Sequence, residues 1–147
     1  MTVTTVLHKL NSASRLSAED WMLFLQAWVW LLIFDIGLRT RPFSELQAFA
    51  ARLTSHPIPS PEQTEKQLRM LKVAVARAGS HHLYPMTCLR RSLALQKMLA
   101  QRGVAAELKI GVYKELDLLN AHAWVECQGK PIGEPEKVMD HYVMLRR

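Results

Sequence analysis

The spacing of apolar residues changes period once along the chain, after Gly103. Before it they recur at helical spacing; after it they alternate. Ser17, with Asp20 three residues on, forms a capping-box pattern that opens an apolar run through Leu38. Pro42 breaks that helix. Leu46, Phe49, Ala50 and Leu53 follow at the i, i+3, i+4, i+7 spacing of one helix face. His-Pro-Ile-Pro-Ser-Pro over 56–61 cannot continue a helix, because its prolines fix φ and remove donors, so it reads as a linker. Ser60 then caps a third helix, with Pro61 in the first turn and Gln63 at the capping-box position. Leu68, Leu71, Val75 and Ala78 form its apolar stripe, and Gly79 can close it. A loop with His81, His82 and Pro85 leads into a fourth helix over 88–101, with Leu89, Leu93, Met98 and Leu99 facing inward.

Beyond Gly103, Ala106, Leu108, Ile110 and Val112 alternate with Glu107, Lys109, Gly111 and Tyr113, which predicts a strand. A second strand covers 120–127, and Gln128-Gly129 turns it into a short strand over 130–133. Residues 141–145 could form another. Helices followed by strands predict an α+β fold with an antiparallel sheet, a helical N-terminal region over 1–60 preceding a core over 61–147. No internal repeat is visible.

At 147 residues the chain has the size of one domain, and 49% apolar against 22% charged residues excludes a disordered or low-complexity chain. The net charge of +6 comes from scattered basic residues, apart from the pairs Arg90, Arg91 and Arg146, Arg147, so nucleic acid is not the expected partner. An acidic peptide fits at least as well. Two cysteines, Cys88 and Cys127, are too few for a disulfide scaffold, and a cytoplasmic protein could keep both reduced. The run over 21–34 has Gln26 as its one polar residue. It is shorter than the ~20 residues a bilayer span needs. No basic segment immediately precedes it and no small-residue cleavage site follows, so a signal peptide is not expected. The expectation is a buried or partner-facing helix, weak membrane association being the other reading. Trp21, Phe24, Trp28 and Trp30 make it a core pillar or a docking surface.

Chemistry is offered by Cys88. With Thr87 as N-cap, its sulfur lies in the first helical turn, beside unpaired N–H groups and the positive end of the helix dipole. Cysteines in that position are commonly thiolates at neutral pH, although free cysteines elsewhere are often inert packing residues. His122 lies mid-strand between Ala121 and Ala123, where a rigid backbone could hold an imidazole to take a proton from a thiol. Alternation puts His122, Trp124 and Glu126 on one face and Ala123, Val125 and Cys127 on the other, so Cys127 points away from His122. A third group normally orients such an imidazole. Glu134, twelve residues on and past the turn, could come alongside, with Asp140, Asp117 and Asn120 as competitors. Zinc ligation by His81, His82, Cys88 and His122 lacks the paired spacing of zinc sites.

Four segments, in this order, carry a resemblance: Cys88-Leu89-Arg90-Arg91-Ser92-Leu93-Ala94-Leu95, then Arg102-Gly103, then Ile110-Gly111-Val112, then Ala121-His122-Ala123-Trp124-Val125-Glu126. Together they resemble the lasso-peptide maturation proteases, bacterial leader peptidases with a transglutaminase-like, papain-like fold. The resemblance is strong over 83–133 and weak in the terminal strand. It implies Cys88 as nucleophile and His122 as base. Where the family places an aspartate, this chain has Glu134, whose extra methylene changes its reach, so Asp140 stays a competitor. The resemblance implies a lasso precursor peptide as substrate, cut to free its N-terminal leader. Short stand-alone members work with a separate small leader-binding protein and pass the core peptide to an ATP-dependent cyclase. It brings no cofactor and no metal. A transglutaminase-like acyltransferase and a non-catalytic module that binds precursor or cyclase are the alternatives.

Overall fold

The computed structural model describes residues 16–54, 57–115, 118–134, 140 and 142–145. Among these, four helices precede a four-stranded sheet: α1 (Ala18–Thr40), α2 (Phe43–Ala51), α3 (Pro61–Ser80), α4 (Cys88–Ala100), β1 (Glu107–Glu115), β2 (Leu118–Cys127), β3 (Lys130–Pro131) and β4 (Val143–Met144). The architecture is α+β, with strand order β3-β2-β1-β4 and every pairing antiparallel.

Local chemistry sets the ends of the helices. Ser17 and Asp20 cap α1 reciprocally, as Ser60 and Gln63 cap α3, each pair satisfying donors that a helix start leaves open. Gly79 does not close α3, which continues to Ser80. The space beside Gly79 is taken by the Arg91 guanidinium instead: a Cβ there would sit 2.7 Å from Arg91 Nε. The β2–β3 turn has positive φ at both Gln128 (52°) and Gly129 (76°), the backbone of a tight hairpin that follows the strand twist.

One apolar core joins the helices to the sheet. Leu23, Ala27, Leu31 and Phe34 from α1 meet Leu71, Val75 and Ala78 of α3 and Leu93, Met98 and Leu99 of α4. Ala123, Val125 and Cys127 supply the sheet's share of that core. Leu46 and Ala50 of α2 are buried with them, whereas Phe49 and Leu53 of the expected stripe are exposed. Phe49 instead packs on Trp30 and Phe34, with the Lys97 ammonium 4.2 Å from its ring centre.

By length and composition α1, at a mean hydropathy of 1.7, is apolar enough to cross a membrane, while one side of it is part of the core. Trp28 and Trp30 lean on that core, Trp30 with its indole N–H donated to Gln101. The outward stripe is made by Met22, Leu25, Val29, Ile33 and Ile36 at three- and four-residue spacing. Of the residues expected in the last strand, Val143 and Met144 pair with β1. His141 and Asp117 lie outside the described residues.

Candidate active site

Two elements built for different reasons meet at one cleft. Helix α4 begins at Cys88, after Thr87 in extended backbone, whose carbonyl accepts the Arg91 N–H at 3.1 Å. Strand β2 brings His122. The two are tied by a buried hydrogen bond from Ser92 Oγ to the Ala123 carbonyl, 3.0 Å. Ser92 lies one helical turn after Cys88, on the same side of α4. The residue bonded to it on β2 is the one next to His122, so this contact fixes how the start of α4 faces the histidine strand.

The cleft has a volume of about 290 Å³ and is walled by α3, α4, β2 and the segment after β3. Cys88, His122 and Glu134 all line it. His122 Nε2 lies 3.0 Å from Glu134 Oε1, their side chains 25% and 35% exposed. The short β2–β3 hairpin brings the carboxylate there: Ile132 N–H bonds the Val125 carbonyl at 2.8 Å, extending the strand pairing one residue past β3. Gly133 then turns with φ 80°, with Lys72 of α3 laid across it so that a Cβ would lie 2.6 Å from the lysine chain. With Nε2 engaged by Glu134, Nδ1 is the ring nitrogen left to exchange a proton with a thiol.

The imidazole is also held by aromatic contacts that the sequence reading did not single out. Its ring stacks at 5.9 Å from Trp124 and lies 5.6 Å from Tyr142, and those two rings are 5.8 Å apart. Trp124 donates its indole N–H to Glu126 at 2.9 Å. The space that Tyr142 occupies exists because Gly111, directly across the sheet from His122, has no side chain; a Cβ there would be 2.5 Å from Tyr142 Cβ. Gly111 and Trp124 stand within the quoted motifs; Tyr142 comes from the weakly matching terminal strand.

Asp140 and Asn120 are exposed, and Asp117 lies outside the described residues. Of the histidines weighed as zinc ligands, His122 lines the cleft and His81 and His82 do not. His81 bonds the Arg77 carbonyl, and His82 stacks on Trp28 at 4.4 Å with Nε2 3.3 Å from the Trp28 carbonyl. Among the described residues no three of His, Cys, Asp and Glu group as a metal site. Cys127 faces the core, its thiol 3.6 Å from the Ala105 carbonyl, and burial pushes that thiol above its ordinary range.

Arg90 and Arg91 diverge. Arg91 lines the cleft with its Nε buried over Gly79. Arg90 turns back to α1, where its Nε lies 2.6 Å from Oδ1 of Asp35. Asp35 is 2% exposed and also receives the Tyr84 hydroxyl and Arg39 of the next turn. The Tyr84 hydrogen bond above all, with Arg90 and Arg39 adding, holds its carboxyl below the usual range although burial pulls the other way.

The family model described as the transglutaminase-like superfamily (Transglut_core3) matches residues 28–147. No curated protein and no solved structure matches the chain.

Proposed function

The chain belongs to the transglutaminase-like superfamily, which includes cysteine proteases and acyltransferases, and from that premise we propose that it is a cysteine peptidase that removes the leader from a lasso peptide precursor. The observation that carries the reading is the His122–Glu134 pair at 3.0 Å in a cleft that Cys88 also lines. A thiol at a helix start, an imidazole and a carboxylate that orients it are the parts a thiol acyl transfer needs.

The proposed reaction runs in two steps. The Cys88 thiolate attacks the carbonyl carbon at the leader–core junction, and the charge that develops on oxygen is met by the Cys88 backbone N–H at the start of α4. The His122 imidazolium gives its proton to the departing core amine, the amide C–N bond breaks, and the leader remains on sulfur as a thioester. Water, losing a proton to His122, then hydrolyses the thioester and frees the leader carboxylate. Glu134 holds the ring orientation and offsets the imidazolium charge. The proposed partners are a small leader-binding protein and an ATP-dependent cyclase that takes the freed core amine, in the cytoplasm.

Incubation of the purified protein with a precursor peptide and a leader-binding partner, read by mass spectrometry, tests this. The expected products are leader acid and core amine, their masses summing to the precursor plus one water. A new amide on an added amine overturns hydrolysis in favour of acyl transfer, and maturation that Cys88→Ala leaves intact overturns both in favour of a binding module.

A further inference from the structure

We propose that Asp35, held in the apolar helix α1, is a positioning residue for the Cys88 end of α4 and acts on it through Arg90, an inference that rests on the peptidase reading above.

A carboxylate removed from water is strongly disfavoured unless it is paired and hydrogen-bonded. Arg39, one turn along α1, already offers Asp35 a partner at 3.4 Å. The other two come from the segment that carries the nucleophile: Tyr84, from the loop leading into α4, by a hydrogen bond, and Arg90, from its first turn, by an ion pair whose Nε–H is not aligned as a hydrogen bond. The same loop is tied to α1 a second time by the His82 stack on Trp28. Asp35 therefore joins α1 to the entry of α4.

The consequence lies in what Arg90 does with its other nitrogens. Its Nη1 donates to the Thr87 hydroxyl at 3.2 Å. A threonine at this place ordinarily turns its hydroxyl onto an N–H of the first turn; here Thr87 makes no such bond. Arg90, anchored by Asp35, holds the hydroxyl away, and the Leu89 and Arg90 N–H groups beside Cys88 stay available to a thiolate. Released, the Thr87 hydroxyl would return to the Leu89 or Arg90 N–H, where an N-cap hydroxyl bonds, and compete there with a Cys88 thiolate. A guanidinium can reach the carboxylate and the hydroxyl at once because its nitrogens form a rigid fork; a lysine ammonium can hold the carboxylate but lacks that fork.

Arg90→Lys is therefore the informative variant, because it keeps the charge pair with Asp35 and avoids the folding risk of Asp35→Asn. Measured on a synthetic peptide spanning a lasso leader–core junction, Arg90→Lys is expected to lower kcat about 10- to 100-fold through a smaller thiolate fraction, with KM within about threefold. Adding Thr87→Val, which removes the competing hydroxyl, is expected to restore most of the loss, and Thr87→Val alone supplies the fourth corner of the cycle. The rate at which iodoacetamide modifies Cys88 at fixed pH, read on the same four proteins without substrate, should fall and recover in the same pattern. A kcat for Arg90→Lys within twofold of wild type, or a loss that Thr87→Val does not relieve, overturns the proposal. If the wild-type protein cleaves nothing, the peptidase reading fails, and the alkylation series alone decides the positioning role: unchanged rates across the four proteins overturn it.

Discussion

Cys127 lies on the core face of β2, 7% exposed, with its thiol against the Ala105 carbonyl and held in the neutral form by burial. Cys88 opens α4 at the wall of a cleft it shares with His122 and Glu134. The residue type is the same and the backbone decides the chemistry. A strand interior offers a sulfur neither charge nor unpaired N–H, whereas a helix start offers both a dipole end and open donors. The proposed difference in reactivity follows from position in the fold.

The widest gap between the two sites is in turnover. Cys88→Ala should abolish cleavage, a loss on the order of 10⁶-fold if Cys88 is the nucleophile, while Cys127→Ala retains turnover per folded molecule; equal losses would break the contrast. Next comes the group behind the imidazole. Glu134→Gln keeps a side chain at His122 Nε2 but cannot offset an imidazolium, and kcat should drop by up to about 10⁴-fold in steady-state assays. Retained turnover would remove Glu134 from the machinery and return Asp140 to consideration.

Reactivity without substrate sharpens the comparison further. At neutral pH iodoacetamide should modify Cys88 about 100-fold faster than Cys127, as followed by peptide mapping. The smallest effect is on stability. Cys127→Ala should cost about 1 kcal/mol in denaturant titrations, the range of an ordinary core truncation. Because burial raises the Cys127 pKa in the folded state, the unfolded chain gives up that proton first as pH rises. The folded state then binds more protons, and stability falls with pH above about 8.5, the ordinary cysteine value. The alanine variant should lack that alkaline decline, and a decline of the same size in both proteins would contradict the burial argument.

What was legible in the sequence was what short-range chemistry specifies. Ser17 with Asp20, Ser60 with Gln63 and Gln128-Gly129 are readable because each involves hydrogen bonds or dihedrals within a few residues. The approach of Glu134 to His122 was legible for a related reason: a tight turn fixes the register of a twelve-residue separation. The role of that pair is what the experiments above decide. Non-local meetings were not legible. Asp35 reads as the end of an apolar run, and nothing near it announces Tyr84 or Arg90. Tyr142 reaches His122 only because β4 pairs with β1 at Gly111, a contact that neighbouring residues do not encode. Gly79 reads as a helix end for want of any sign that Arg91 lies over it.

The central claim is that one sulfur carries the acyl group, and the most direct measurement is to trap it there. A junction peptide mixed with excess enzyme, quenched in acid within the first turnover and mapped by mass spectrometry, should show the leader acyl group attached to Cys88 and to no other residue. Cleavage that proceeds at the wild-type rate with no adduct on Cys88, or with an adduct elsewhere, would contradict it.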